Sequence, residues 1–96
     1  MSVKAYLQIN MVIDEDNRAK GAEVFTKYKD EFLENIKGAE TKDLLVRDED
    51  VQVLHGFSSV EDAENYLESE LFKEHVFVEL QPLWSKDPDV RIYQVM

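Results

Sequence analysis

The chain has 96 residues, a formal net charge of −10 and no cysteine. Its length suits one domain spanning 1–96, large enough to bury a core without staples. The lack of cysteine excludes disulfides, thiolate metal sites, cysteine-ligated iron–sulfur clusters and thiol nucleophiles, and 21 acidic against 11 basic side chains repel nucleic-acid phosphates and anionic lipid.

Hydrophobic residues make up 44% of the chain, an ordinary share for a globular protein. The start, MSVKAYLQINMVIDEDN, alternates apolar and polar residues. A secretory signal would instead show a basic start and then an apolar run, and no stretch is apolar enough for a membrane span. A cytoplasmic location is expected, with neither nucleic acid nor membrane as partner.

Residues 3–13 place Val3, Ala5, Leu7, Ile9, Met11 and Ile13 on one face and Lys4, Tyr6, Gln8 and Asn10 on the other. That period of two predicts a strand. Asp14, Glu15, Asp16 and Asn17 then mark a helix start. Ala22, Phe25, Tyr28, Phe32 and Ile36 recur at threes and fours, with Val24 and Leu33 beside them. They predict a helix over 17–37 with Gly38 as its left-handed stop. Residues 40–47 and 51–57 read as two strands of a hairpin turning through Asp48-Glu49-Asp50. Ser58 and Glu61 match a capping box that opens a helix. That helix falters near Ser69. A further helical segment carries Phe72, Val76, Leu80 and Leu83, and Pro82 ends or bends it. Lys86-Asp87-Pro88-Asp89 is a turn, and 90–95 form the last strand.

Strand, helix, strand, strand, helix, strand is the split βαβ order of an α+β, ferredoxin-like domain with a four-stranded antiparallel sheet. Helices cover one face of such a sheet. The other face, expected to carry Tyr6, Leu44, Val46 and Leu54, needs cover, and a second copy of the chain is the economical one. A homodimer is therefore expected.

Two stretches carry a family resemblance. The run GFSSVEDAENYLESELFKEH resembles the third strand and following helices of antibiotic-biosynthesis-monooxygenase domains: an aromatic ends the strand, a Ser opens the helix, and a Tyr precedes Leu and Ser. The tail LQPLWSKDPDVRIYQV resembles the same family's helix end, Pro-containing turn and final Tyr-bearing strand. The helix end Leu80-Gln81-Pro82-Leu83 is one residue longer than the family's. The resemblance implies a dimeric α+β barrel whose two sheets face each other. It also implies oxygenation of aromatic polyketides or quinols by molecular oxygen, with no bound metal or flavin. The substrate supplies the electrons, and the protein binds it, excludes water and stabilises an enolate or phenolate.

The expectation is thus a cofactor-independent monooxygenase acting on a small hydrophobic, aromatic or quinol-like molecule. The alternative is a non-catalytic small-molecule-binding or stress-response module on the same scaffold. A haem-degrading monooxygenase is the third reading, because YLESELFKEH is similar to that branch of the superfamily. There an aromatic is followed some three turns on by the ligating His. Here His75 falls one residue short, Tyr66 replaces a Trp, and Asn10 lies too far along for the early Asn of that branch.

The candidate catalytic residue is His55. It shares parity with Val51, Val53 and Phe57, so it is expected on the helix-facing side as a proton acceptor from a hydroxyaromatic substrate. Tyr66, Phe72, His75 and Trp84 are the candidate substrate-binding residues, as aromatic walls that stack a planar ligand. Each also reads as ordinary core or surface. Glu61, Asp62 and Glu64 read as the acidic first turn of a helix. His55 and His75, far apart and without supporting ligands, make no metal site, and no cofactor is expected.

Overall fold

A computed structural model describes residues 2–96. Strand β1 (Ala5–Met11) leads to helix α1 (Glu15–Asn35), then to the hairpin of β2 (Ala39–Val46) and β3 (Val51–Phe57). Helix α2 (Val60–Leu67) follows. Next comes a continuous helical rod, α3 (71–83), and strand β4 (Asp89–Gln94) ends the domain. The sheet order is β2-β3-β1-β4, antiparallel throughout, which is the ferredoxin-like arrangement expected from element order.

The alternation of β1 sets the core. Ala5, Leu7, Ile9 and Met11 are buried under the helices, and Tyr6, Gln8 and Asn10 are half-buried on the other face. On β3 the same side carries Val51, Val53, His55 and Phe57, paired across to Met11, Ile9, Leu7 and Ala5. From α1 the buried line is Gly21, Val24, Tyr28 and Phe32, with Phe25, Leu33 and Ile36 at its margins. Phe32 is fully buried. It meets Phe57, Tyr66 and His55 edge-on at centroid distances of 5.5, 5.0 and 5.3 Å, the geometry that aromatic quadrupoles favour.

Helix α1 begins at Glu15 and ends at Asn35, two residues earlier at each end than the periodicity predicts. Ile36 is already extended, so Gly38 does not stop the helix. It takes φ +79° inside the tight turn in which the Ala39 N–H donates to the Ile36 carbonyl. A Cβ at Gly38 would also stand 2.2 Å from Asp62 Oδ2, so close approach and conformation both require glycine there.

The α2 cap is one residue later than the capping-box reading. The Ser59 hydroxyl accepts from the Asp62 N–H at 3.1 Å. Ser58 instead donates to the Gly38 carbonyl and to Glu40. At the predicted break, the Ser69 hydroxyl donates to the Tyr66 carbonyl at 2.6 Å and accepts from the Phe72 N–H at 3.2 Å, joining the end of α2 to the start of α3. The first turn of α3, Leu71–Val76, is π-helical, with the Phe77 N–H reaching the Phe72 carbonyl. Such turns are rare and cluster at functional sites.

One expectation about the sheet is reversed. The Arg47 N–H donates to the Asp50 carbonyl, so the β2–β3 loop is the two residues Asp48 and Glu49 rather than three. The pairs are then Val46 with Val51, Leu44 with Val53, and Lys42 with His55. Leu44 and Val46 therefore lie on the helix side. The uncovered face carries Asp43, Leu45, Gln52 and Leu54 beside Tyr6, Gln8 and Asn10, with Arg91 and Tyr93 from β4. Changing a loop by one residue inverts the parity of a whole strand, because side chains alternate with a period of two. Among the described residues, no helix is long and apolar enough to cross a membrane.

Candidate active site

Between the sheet and α1 lies an apolar cavity of about 60 Å³. Its floor is formed by Ile9, Met11, Val53 and His55, its roof by Gly21, Val24 and Phe25 of α1, and its inner end by Val76 and Leu80 of α3. Glycine at 21 leaves room: a Cβ there would meet only Ile13, at 3.4 Å. Strand β2 is at the sheet edge, so the cavity reaches solvent between β2 and α1, where Phe25 and Leu44 are half-buried and Val46 is 61% exposed. Arg18 borders this opening. Its guanidinium donates to the carbonyls of Ile13, Arg47 and Asp48, tying the start of α1 to the β2–β3 turn.

His55 is 1% exposed and lines the cavity. Its Nδ1 lies 3.2 Å from the Leu7 carbonyl. A carbonyl only accepts, so this contact puts the proton on Nδ1 and leaves the Nε2 lone pair unprotonated. Burial pushes the imidazole pKa down to about 3, and the nearby Lys42 charge pushes the same way, against the two backbone carbonyls of Leu7 and Val53. The ring is therefore neutral at physiological pH.

Lys42 is the residue that sequence reading passed over. It is 3% exposed and lines the same cavity, directly across the ladder from His55. Its ammonium sits 5.0 Å from the Phe32 ring and 5.8 Å from the Phe25 ring. Among the described residues no carboxylate stands within ion-pair distance of it. Burial lowers its pKa to about 8. The signal that could have found it is the shared parity of Lys42, Leu44 and Val46, legible once the hairpin loop is given two residues rather than three.

The other candidates fall elsewhere. Tyr66 is buried directly behind His55, with ring centroids 5.4 Å apart, and its hydroxyl has no hydrogen-bond partner among the described residues. Burial raises its pKa, so the phenol stays protonated. Phe72 packs on Tyr66 at 5.3 Å and on Phe77 at 6.1 Å. Trp84 stacks edge-on to Phe77 at 5.2 Å and bridges Ile13 through the backbone. Its buried indole N–H is likewise unpartnered among the described residues. His75 is exposed on α3, its ring 6.2 Å from that of Tyr28. Of the five sequence candidates, His55 alone lines the cavity; Tyr66, Phe72 and Trp84 form an aromatic row running away from it. Asp62 is buried against Gly38, whereas Glu61 and Glu64 are exposed on α2. Among the described residues, no three His, Asp or Glu side chains are grouped to hold a metal ion.

No family model matches the sequence, and no curated protein matches it in sequence. Solved structures match it in fold. A protein from Bordetella bronchiseptica named a putative antibiotic biosynthesis monooxygenase superposes with a TM-score of 0.84 at 11% identity, covering 99% of each chain. Its namesake from Caulobacter crescentus gives 0.83 at 13% identity, covering 98% of this chain and 91% of its own. A monooxygenase from Streptomyces coelicolor, in complex with the ligand nanaomycin D, gives 0.82 at 12% identity over 98% of this chain and 88% of its own. Over nearly its whole length, then, the chain carries the fold of the antibiotic biosynthesis monooxygenase structures.

Proposed function

We propose that this chain is a cofactor-independent monooxygenase for a small aromatic or quinol-like molecule, with His55 as the catalytic residue. The observation that carries the reading is a buried neutral imidazole that lines an apolar cavity while its Nδ1 is held by the Leu7 carbonyl. A substrate hydroxyl donates to the remaining ring nitrogen, Nε2. As its proton transfers, negative charge develops on the substrate oxygen, and the Lys42 ammonium stabilises it across a medium with little water to screen the attraction. The same charge relieves the repulsion between Lys42 and an imidazolium, so the proton is easier to hold once substrate is bound. The electron-rich anion is the species that oxygen attacks. The fold shared with named monooxygenases supports this reading, as does the small ligand bound by one of them.

The second reading is a binding module without chemistry. The weak basicity of His55, whose pKa burial pushes down to about 3, favours it. Under either reading the enclosed 60 Å³ is below the roughly 150 Å³ that admits benzene, so a ring must open the β2–α1 mouth to enter. In either case a second copy of the chain covers the free sheet face bearing Tyr6, Leu54 and Tyr93. Sedimentation as a dimer at micromolar concentration is the expected result, and a monomer would remove that element.

The functional test is oxygen uptake with a hydroquinone, run beside haemin as a separate substrate. Quinol-dependent uptake that falls about a hundredfold in His55→Ala, the usual worth of a general base, supports the oxygenase. Quinol binding without uptake leaves the binding module. Breakdown of haemin with inert quinol overturns both.

A further inference from the structure

The cavity has a charge character opposite to that of the chain. The sequence carries 21 acidic side chains, yet none lines the cavity. The ionisable groups that face it are Lys42 from β2, His55 from β3 and Arg18 from α1, while α3 contributes only Val76 and Leu80. Arg18 is engaged by three backbone carbonyls at the mouth. That leaves Lys42 as a buried cation faced by two aromatic rings and a neutral imidazole. Burying an ammonium without a counter-charge is costly, and ring faces offset only part of that cost. A long side chain on an edge strand can ordinarily turn its charge to water. This one runs inward beneath α1 instead.

We propose that the cavity binds an organic anion: a small ring compound whose oxyanion pairs with Lys42 Nζ and whose hydroxyl donates to His55 Nε2. The two groups come from a directly paired position of neighbouring strands, so both side chains enter the cavity from the same face of the sheet, and one small molecule bearing an acid or enolate oxygen beside a ring hydroxyl can meet both. The apolar body occupies the mouth against Phe25 and Leu44. This deepens the reading above and rests on it in one respect, that the same cavity is the binding site. It adds the charge of the ligand and assigns Lys42 as the residue that selects it.

The probes are benzoate and benzamide, which share a shape and differ in charge, measured by calorimetry or amide chemical shifts on the full chain. Benzoate is expected to bind at least tenfold more tightly at pH 7. Lys42→Met is expected to remove that preference while benzamide binding stays. In the wild type the preference should decay as pH rises past the titration of Lys42, with benzamide unaffected. Equal binding of the two probes, a preference that survives Lys42→Met, or no binding of either at millimolar concentration overturns the proposal. Should Lys42→Met misfold, Lys42→Gln and the wild-type pH series give the same decision. The oxygenase reading fails separately: a Lys42-dependent preference without oxygen uptake keeps the anion site and discards the catalysis, and quinol turnover with no charge preference does the reverse.

Discussion

Lys42 and His55 face each other across the β2–β3 ladder, both pointing beneath α1 into one apolar cavity. Two groups that are basic in water are thus held side by side out of water. Each is pushed toward its neutral form by burial, and His55 is pushed further by Lys42. Their placement leads to expectations for stability as well as for ligand binding.

His55 makes the domain acid-sensitive. Its ordinary pKa of 6.5 falls to about 3 on folding, so between those values the unfolded chain binds the extra proton. Stability from this group is full above pH 6.5 and is lost as pH falls toward 3, at up to about 1.4 kcal/mol per pH unit. Urea unfolding across that window should show the slope, and His55→Leu should flatten it. An unchanged slope in the variant would remove the assignment.

Lys42 acts at the other end of the scale. Its pKa falls from 10.5 to about 8, so folding carries the cost of a buried charge below pH 8, and stability recovers as pH rises toward 10.5. Lys42→Met removes the charge and keeps most of the volume. It should stabilise the domain by about 1–3 kcal/mol at pH 7, with a smaller gain at pH 10.5. Denaturant midpoints at the two pH values check both the sign and the difference.

Gly38 should tolerate no side chain. Its φ of +79° and the 2.2 Å approach of a Cβ to Asp62 act together. Gly38→Ala is expected to cost at least about 1–2 kcal/mol in thermal or urea unfolding. Gly21→Ala, in the interior of α1 without positive φ and with an ordinary 3.4 Å contact, should instead add about 0.5–1 kcal/mol.

Adjacent serines should behave differently. Ser59→Ala removes the hydroxyl that caps α2 and should cost about 1 kcal/mol. The Ser58 hydroxyl makes exposed bonds to Glu40 and the Gly38 carbonyl, so Ser58→Ala should stay within about 0.5 kcal/mol. Equal losses at both positions would argue against the observed cap.

The sequence by itself determined the element order, the buried face of β1, the break at Ser69 and the inward parity of His55. Each follows from a local period or a local turn residue, and local periods survive folding. Tertiary structure decided what the strands do to one another. Whether the β2–β3 loop holds two residues or three is settled by one hydrogen bond between Arg47 and Asp50, and that bond turns Leu44 and Val46 inward and carries Lys42 with them. No reading of β2 alone finds a buried lysine, because its charge is unfavourable there on every local ground. The cavity beneath α1, to which strands β1, β2 and β3 and helices α1 and α3 contribute, is what turns that side chain from a surface charge into part of a candidate site.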